Sequence, residues 1–415
     1  MKILVIGGGG REHAIVKKLK ESKKTEALYC LPGNAGIAED AVCIDGKPTD
    51  FDRIISAVGE YGIDLVFVAP DDPLSLGLVD ELNKRGIRAF GPVKAAARLE
   101  GSKAYSKDFM LRHGIPTAKY ECFSDYDKAL DYVKKSDYPL VLKADGLALG
   151  KGVLICSTLA DAEDGLKRLM LDRAFGDSGS TVVVEEFLTG REVTVLAFTD
   201  GKTVKCMPSS QDHKRAYDGD KGLNTGGMGA FAPSPYFTPD KLAEAERTIF
   251  RPTIEGLQSD GITYKGVIYF GLMMTAAGVK VIEYNSRFGD PEAQAVLPLL
   301  KTDLVDIVEA CIDGKLDKIN IEWLDKTGFT VVVASGGYPE NVVKGCPITV
   351  GRLNGVTLYH AGTAVKAGRL VTNGGRVFDV TAVAANIAEA REKVYREIDK
   401  IQFEGARYRT DIGKV

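Results

Sequence analysis

The chain has 415 residues, of which 45% are hydrophobic and 27% charged, and its formal net charge is −3. This length predicts about two to four globular domains, and the small net charge gives no reason to expect nucleic acid or an anionic membrane as a partner. No apolar run approaches the roughly 20 residues of a membrane span, and the run after Lys2 is too short for a signal peptide. The seven scattered cysteines indicate reduced thiols in a cytoplasmic protein, and the four dispersed histidines do not favour a zinc site.

The first hundred residues predict a parallel α/β unit. Strand-like runs alternate with helical patterns: strands at 2–6, 27–31, 65–69 and 87–90, and helices near 51–61 and 74–85. The opening order of strand, glycine turn and helix is typical of a doubly wound domain.

The glycine turn of residues 7–10 allows several interpretations. A dinucleotide site is disfavoured because no third glycine completes G-x-G-x-x-G, and because Pro32 and Gly33 stand where an acidic residue should bind a ribose. We favour a phosphate or phosphosugar at the helix N-terminus, with Arg11 as counter-charge. A second glycine turn, Gly33–Gly36, is expected on the same sheet edge. A tight turn that binds nothing stays the alternative.

Two lysine-bearing segments follow. Residues 99–110 predict a turn and then a helix with Lys103 near its start, and residues 138–155 predict a hairpin with a glycine-rich tip between Lys143 and Lys151. Glycines let backbone N–H groups approach phosphate oxygens. The tip is not a P-loop, because only three residues separate Gly146 and Gly150 and no Ser or Thr follows the lysine. Solvated lysines on a mobile hairpin are the alternative.

The middle of the chain offers further polar groups at strand ends. A strand at 181–184 ends in Glu185–Leu188, which suits an adenine edge, and Glu192 after the next turn suits ribose hydroxyls. An ordinary acidic hairpin is the competing interpretation. The turn Asn224–Gly227 offers hydroxyl, amide and N–H groups that fit a small carboxylate or phosphate.

A strand at 279–284 carries the most specific pattern. Glu283, Asn285 and Arg287 alternate, so a pleated chain turns all three to one side. Carboxylate and amide oxygens suit Mg²⁺ held jointly with phosphates, and a guanidinium binds phosphoryl or carboxylate oxygens with paired hydrogen bonds. A solvated polar strand edge is the alternative. The strand predicted at 266–275 should pair with this one.

After a helix up to about residue 313, strands at 329–334, 356–360 and 377–381 and a helix at about 388–399 predict a small α+β domain. At this point a dinucleotide-binding oxidoreductase and a non-catalytic nucleotide-binding regulator are open rivals to a nucleotide-dependent enzyme.

Ten motifs in one order carry a resemblance that covers nearly the whole chain: GGREH, PGNAG, LEGSK, KADGLALGKGV, EEFL, QDHKR, NTGGMGA, EYNSRFGDPE, GGYP and HAGT. The chain resembles the phosphoribosylamine–glycine ligase (glycinamide ribonucleotide synthetase) family of the ATP-grasp superfamily. The resemblance implies an α/β and α+β multidomain fold. It comprises a Rossmann-like N-terminal domain (1–102), a two-lobed ATP-grasp unit (103–323) with 118–190 as a mobile lid lobe, and an α+β C-terminal domain (324–415).

The resemblance also implies the reaction. ATP, with Mg²⁺ or Mn²⁺, drives ligation of glycine to 5-phospho-β-D-ribosylamine through glycyl phosphate, giving glycinamide ribonucleotide, ADP and phosphate in purine biosynthesis. A cytoplasmic monomer is expected, without nucleic acid or membrane partners and with transient contact to the preceding amidotransferase.

Residue roles follow from the same resemblance. Catalytic roles fall to Lys143, Asp212 and Arg287. ATP-binding roles fall to Lys103, Lys143, Gly146, Gly150, Lys151, Gly152, Glu185, Glu186, Phe187, Leu188 and Glu192. Substrate-binding roles fall to Gly9, Gly10, Arg11, Asn34, Asp212, Lys214, Thr225, Gly226, Gly227, Arg287 and Asp290. The metal ligands are Glu283 and Asn285.

The chain departs from the family pattern in few places. Asp71, within Pro70–Leu74, replaces the glutamate of P-E-x-P-L, so its contact with substrate is in doubt. Gly8 stands where relatives often carry Asn. The strand at 266–275 lacks the acidic metal ligand of many ATP-grasp enzymes, which leaves more of the metal shell to phosphates and water.

Overall fold

The computed structural model describes residues 1–147, 152–172 and 179–414. The N-terminal part contains β1 (Lys2–Gly7), α1 (Gly10–Lys20), β2 (Ala27–Pro32), β3 (Val42–Cys43), α2 (Phe51–Tyr61), β4 (Leu65–Val68), α3 (Asp71–Leu76), α4 (Leu78–Lys84) and β5 (Ala89–Phe90). Its strands form a parallel sheet in the order β3-β2-β1-β4-β5. This order confirms the doubly wound prediction and places the turn after β1 at the carboxyl edge of the sheet, where such folds bind ligands.

One detail of this unit differs from the prediction. The single helix expected near 74–85 is two helices, α3 and α4, because Gly77 adopts a left-handed φ of 98° between them. A glycine in this conformation ends a helix without the steric penalty that a side chain would meet.

The next segment builds a separate antiparallel sheet. It contains α5 (Lys94–Gly101), α6 (Lys103–Arg112), β6 (Tyr120–Phe123), α7 (Tyr126–Val133), β7 (Leu140–Ala144), β8 (Val153–Cys156), α8 (Leu159–Leu166) and β9 (Val182–Glu186). The strand order is β6-β9-β7-β8, and α7 and α8 cover the sheet with a small apolar core of their own. The predicted hairpin is confirmed by the antiparallel pairing of β7 with β8.

The larger lobe follows. It contains β10 (Arg191–Thr199), β11 (Val204–Cys206), β12 (Gln211–Asp212), β13 (Arg215–Tyr217), β14 (Lys221–Asn224), β15 (Gly229–Ala232), α9 (Pro239–Ala245), α10 (Arg251–Ser259), β16 (Gly266–Thr275), β17 (Gly278–Asn285), α11 (Glu292–Val296) and α12 (Leu304–Asp313). Four of these strands form an antiparallel sheet in the order β11-β10-β16-β17. The expected pairing of β16 with β17 is confirmed. Helix α12 packs back under the N-terminal sheet, since its apolar residues share one core with β1 and β4.

The last part contains β18 (Thr327–Ala334), β19 (Thr349–Val350), β20 (Thr357–His360), β21 (Thr363–Lys366), β22 (Arg369–Thr372), β23 (Arg376–Ala384), α13 (Ile387–Ile398) and β24 (Ile401–Gln402). Its main sheet has the order β12-β15-β18-β23-β20. Two strands of this sheet therefore come from the middle of the chain, which sequence patterns did not predict. No helix within the described ranges is long and apolar enough to cross a membrane.

Candidate active site

The site is built around β17, where the pairing with β16 is irregular. Gly271 lies opposite Glu283 but Leu272 lies opposite Val281, so Ile282 is the extra residue of a β-bulge. The carbonyl oxygen of Ile282 accepts a hydrogen bond from Lys143 Nζ at 3.1 Å. A Cβ on Gly271 would lie only 3.0 Å from Glu283 Cγ. The bulge and the glycine together fix the place of the Glu283 carboxylate.

Cations surround Glu283. Burial would raise the pKa of this carboxyl group, but Lys214, Lys143, Lys103 and Arg287 together hold its pKa below the usual range. Among the described residues no hydrogen bond or ion pair occupies the carboxylate. An ionised carboxylate left open among positive side chains is suited to a shared cation and to the phosphates that the cation accompanies.

Asn285 and Arg287 continue the polar face, as their alternation predicts. Arg287 Nη2 donates to Asn285 Oδ1 at 3.1 Å and pairs with Glu100 Oε1 at 2.9 Å. Arg287 Nε is buried without a partner among the described residues. A free buried N–H on a guanidinium is a ready donor for a phosphoryl or carboxylate oxygen.

Glu100, at the end of α5, is a site residue that sequence reasoning missed. Its Oε2 accepts from the backbone N–H of Ser286 at 2.7 Å, while its Oε1 holds Arg287. Burial raises the pKa of Glu100 to about 7; Arg287 opposes the shift and Asp71 adds to it. Asp71, the shortened family carboxylate, thus lies within electrostatic reach of Arg287. No role was predicted for Glu100, although the LEGSK motif contains it, because its partners Ser286 and Arg287 are distant in sequence.

The predicted phosphate lysines come together at the base of the hairpin. Lys143 Nζ pairs with Glu185 Oε2 at 2.9 Å, and Lys103 Nζ donates to the Gly146 carbonyl at 2.8 Å. Burial lowers the pKa of Lys103, and Glu283 opposes that shift. The predicted tip residues Gly150 and Lys151 lie outside the described residues, and Gly152 lies just before β8.

The predicted nucleotide segment leaves β9 beside this cluster. Glu185 is buried and its Oε1 has no partner among the described residues. Glu186 Oε1 accepts from the Lys119 N–H at 3.0 Å and from Lys280 Nζ at 3.1 Å. Phe187 is exposed, and Leu188 follows it half-buried.

Glu192 is the second residue of β10, a strand of the sheet that also carries Glu283. Thr194 lies opposite Gly271, and Gly271 lies opposite Glu283, so Thr194 and Glu283 share one face of the sheet. Glu192 is two residues before Thr194 and therefore lies on the same face. Lys214 and Asp212 are among its electrostatic neighbours. Glu192, predicted for the ribose, therefore shares one face of one sheet with Glu283 and Asn285, predicted for the metal.

The polar segment 211–227 forms another side of the site around Glu283. Lys214 Nζ lies 3.3 Å from Asp212 Oδ2, and although burial lowers the pKa of Lys214, Asp212 and its other acidic neighbours raise it well above its usual value. Thr225 Oγ1 donates to the Lys214 carbonyl and accepts from the Gly227 N–H. Gly227 has a φ of 113°, and a Cβ there would lie 2.4 Å from Pro291 Cδ. The turn therefore packs directly on the end of the 281–292 motif.

A second set of carboxyl groups lies next to this turn. Arg376, on β23, pairs with Asp290 Oδ2 at 3.0 Å and donates to the Gly226 carbonyl at 2.8 Å. Gln294 Nε2 donates to Asp290 Oδ1 at 2.7 Å. Burial would raise the pKa of Asp290, but Arg376 and other guanidinium groups keep it below its usual value. Sequence reasoning missed Arg376 and Gln294.

Asp379, also on β23, completes this set. It is 1% exposed, and neither of its oxygens has a partner among the described residues. A Cβ on Gly10 would lie 2.2 Å from Asp379 Oδ2. Burial and the nearby Asp290 raise the pKa of Asp379 to about 7, against the effect of Arg376. The C-terminal domain therefore touches the first glycine turn directly.

That glycine turn is held by its own helix. The Gly9 N–H donates to Glu12 Oε2 at 2.6 Å, and Arg11 Nε pairs with Glu12 Oε1 at 2.6 Å. Arg11 Nη1 also donates to the Phe288 carbonyl at 3.1 Å. Glu12 was not predicted as a site residue, although the motif contains it.

The side-chain amide of Asn34 makes all of its hydrogen bonds within the protein. Its Nδ2 donates to the carbonyls of Gly8 and His360 at 2.9 and 2.7 Å, and its Oδ1 accepts the N–H groups of Gly36 and Ile37 at 2.9 Å each. The side chain thus ties the two glycine turns together.

The donor set fits a hard divalent cation only in part. In the described ranges no three His, Cys, Asp or Glu side chains are grouped to hold a metal ion. Glu283 and Asn285 supply one carboxylate and one amide oxygen, so further ligands must come from phosphates and water.

Comparison with known proteins agrees with this arrangement. Models of the N domain, the ATP-grasp (A) domain and the C domain of phosphoribosylglycinamide synthetase match residues 1–100, 101–293 and 328–415. A phosphoribosylamine–glycine ligase of Caldanaerobacter subterraneus is 48% identical over 413 residues, which cover 99% of each chain.

Solved structures agree as well. The crystal structure of a phosphoribosylamine–glycine ligase from Thermotoga maritima matches with a TM-score of 0.89 and 34% identity, covering 99% of this chain and 100% of that one. The biotin carboxylase domain of a Hydrogenobacter thermophilus 2-oxoglutarate carboxylase matches with a TM-score of 0.73 at 17% identity over 98% of this chain and 91% of that one, which shows a likeness of fold alone. The chain belongs to the phosphoribosylamine–glycine ligase family, carbon–nitrogen ligases that use ATP to join glycine to phosphoribosylamine in purine biosynthesis.

Proposed function

We propose that the face of β17 around Glu283 is where this ligase transfers the γ-phosphoryl group of ATP to glycine. The observation that carries the proposal is the open, ionised Glu283 carboxylate among Lys103, Lys143, Lys214 and Arg287. Mg²⁺ or Mn²⁺ held by Glu283 and Asn285 would neutralise phosphate charge there, since both cations accept oxygen ligands.

ATP would lie between the two lobes. Lys103 and Lys143 would contact its α- and β-phosphates, with Gly146, Gly150, Lys151 and Gly152 covering them. Glu185, Glu186, Phe187 and Leu188 would hold the adenine, and Glu192 the ribose hydroxyls. The free Glu185 Oε1 supports the adenine assignment, because a buried acceptor without a donor is costly unless a ligand supplies one.

Glycine and the sugar would lie towards the C-terminal sheet. Asp212, Lys214, Thr225–Gly227 and Asp290 would hold them, and the 5-phosphate would lie at the turn of Gly9, Gly10 and Arg11. Asn34 would act indirectly, because its amide is already fully hydrogen-bonded and can only shape that turn.

The chemistry has two steps. A glycine carboxylate oxygen attacks the γ-phosphorus and ADP leaves, which gives glycyl phosphate. The amine of phosphoribosylamine then attacks the carbonyl carbon, the C–O bond to phosphate breaks, and the amine loses a proton as the amide forms. Arg287, whose Nε–H has no partner among the described residues, would stabilise the charge on the oxygen shared by glycine and phosphate. The first step depends on positioning and charge neutralisation.

One assay tests the assignment of the reaction. ADP release is measured with Mg²⁺, glycine and freshly made phosphoribosylamine, each omitted in turn, and we expect full turnover only with all components. Glycine labelled with ¹⁸O in its carboxylate should deliver one labelled oxygen to each inorganic phosphate. Unlabelled phosphate would mean that water cleaves ATP, and the acyl phosphate route would be wrong.

We also propose that the chain acts as a cytoplasmic monomer. The unstable phosphoribosylamine would be received through transient contact with the amidotransferase that makes it. Sedimentation velocity at working concentration tests the first statement; a stable dimer would contradict it. A coupled assay with excess inert amine scavenger tests the second, because direct transfer should resist the scavenger.

A further inference from the structure

Lys107 is a buried lysine of α6 that the reaction scheme does not use. Its side chain is 2% exposed. Its ammonium group lies 2.8 Å from Thr117 Oγ1, 3.2 Å from the Ala118 carbonyl and 3.2 Å from Glu185 Oε2. Three acceptors match the three N–H bonds of an ammonium group. Lys107 therefore has no donor left for a phosphate.

Helix α6 packs into the core of the larger lobe through Phe109 and Met110, so Lys107 links that lobe to the small sheet. Lys107 lies on α6, donates a hydrogen bond to the Ala118 carbonyl in the segment before β6, and pairs with Glu185 on β9. Glu185 lies between Tyr120 on β6 and Val141 on β7 in the small sheet. Burial lowers the pKa of Lys107 to about 8, and Glu185 opposes this shift. An ion pair in such a place fixes geometry more than it adds stability.

The two oxygens of Glu185 differ. Oε2 lies 3.2 Å from Lys107 Nζ and 2.9 Å from Lys143 Nζ. Oε1 is buried and has no partner among the described residues. With the carboxylate fixed through Oε2, Oε1 presents a rigid acceptor that a donor on a ligand can satisfy.

We propose that Lys107 is a positioning residue for base selection, which holds Glu185 so that Oε1 accepts a hydrogen bond from the exocyclic amino group of a 6-aminopurine. The inference rests on the proposed placing of adenine beside Glu185–Leu188. A 6-oxopurine would present a carbonyl oxygen to the carboxylate, and two facing acceptors repel. Lys143 alone cannot fix Glu185 in this way, because Lys143 also donates to the Ile282 carbonyl and is itself proposed to contact a phosphate.

The test compares ADP with IDP. Their bases differ at position 6, where ADP has an amino group and IDP has a carbonyl oxygen, and this is the position that Glu185 would recognise. Their dissociation constants are measured by calorimetry on the full chain, without turnover. The native chain should prefer ADP by roughly tenfold or more, the size expected for a charge-assisted hydrogen bond. In Lys107→Met the affinity for ADP should fall by roughly tenfold, while that for IDP changes little. Equal losses for both nucleotides, or unchanged ADP affinity, would overturn the proposal.

Two further variants distinguish an effect on base selection from an effect on folding. Thr117→Val removes one acceptor of Lys107 but leaves its ion pair with Glu185, and should keep the preference for ADP. Glu185→Gln can present an amide N–H₂ in place of Oε1 and should shift the preference towards IDP even if Lys107→Met does not fold. A Glu185→Gln protein with unchanged preference would also contradict the proposal. If selection behaves as expected but the ligase assay shows no glycine-dependent ADP release, the proposed function fails and this inference stands.

Discussion

Buried carboxyl groups lie in two parts of the site, and their surroundings differ. In the lysine cluster (Lys107, Lys143 and Glu185), two ammonium groups share one carboxylate. In the aspartate pair (Asp290 and Asp379), the Arg376 ion pair goes to Asp290 alone, and Asp379 keeps no partner among the described residues.

The difference shows that the number of nearby cations, and not burial alone, decides the charge of a buried acid. Glu283 and Asp290 are buried yet have lowered pKa values because cations face them. Burial and the neighbouring Asp290 raise the pKa of Asp379 to about 7, because Arg376, which pairs with Asp290, offsets them only in part. Glu283 and Asp290 are therefore anionic, whereas Asp379 carries a proton near neutrality.

The largest effect is expected for Glu283→Gln, which removes the charge that the surrounding cations stabilise. Turnover should fall by about 100-fold or more, equivalent to about 2.7 kcal/mol of transition-state stabilisation, while the thermal midpoint changes little. Steady-state rates across a Mg²⁺ titration provide the measurement. Glu121→Gln, on exposed β6, is the matched control and should keep the native rate. A Glu283→Gln enzyme with a near-native rate at low Mg²⁺ would exclude Glu283 as a ligand.

Lys143→Met should have the next largest effect and should weaken nucleotide binding, with stability little changed. It deletes a cation that pairs with Glu185 and leaves Lys107 to hold the carboxylate. Loss of a charge-assisted hydrogen bond of about 1.5–3 kcal/mol should weaken ADP binding by about 10- to 100-fold. Calorimetry with ADP measures the change. Unchanged ADP affinity together with persisting activity would show that Lys143 is only structural.

The smallest effect is expected for Asp379→Asn and appears as a dependence of stability on pH. The folded pKa of about 7 lies above the unfolded value of about 3.9, so the folded chain binds the proton more tightly. Ionisation of Asp379 therefore costs the native protein stability as pH rises from about 4 to about 7. The Asn variant lacks this loss.

Thermal midpoints of the two proteins should therefore diverge with pH. The midpoint of Asp379→Asn relative to the native chain should rise by about 2 °C or more between about pH 5 and about pH 8. Asp290 and Gln294 face Asp379 from other parts of the chain, and Arg376 faces it from the same strand, β23. All three are unchanged in the variant, so the difference reports the loss of Asp379 together with its effect on Asp290. A midpoint difference that is the same at both pH values would show that Asp379 stays ionised throughout.

The sequence predicts local features well. Alternation along β17 predicts the shared face of Glu283 and Asn285, and strand–turn–helix order predicts the parallel N-terminal sheet. It does not predict the bulge at Ile282, since a bulge depends on the register of the partner strand. The domain limits and the ligand roles stay predictions.

The residues that sequence reasoning missed share one property. Glu100, Lys107, Arg376 and Asp379 acquire their roles only through partners on other elements, such as Arg287, Glu185 and Asp290. No local periodicity marks them, and charged residues on helices or strands are usually solvated. Only their burial in the fold distinguishes them.

The C-terminal sheet has a consequence for how the chain is made. Strands β12 and β15 leave the ribosome before β18, the strand that β15 pairs with. Until β18 emerges, β15 presents an unpaired and fully apolar edge, GAFA. A chain ending before β18 would keep that edge permanently, so the larger lobe should aggregate when it is produced without the C-terminal domain.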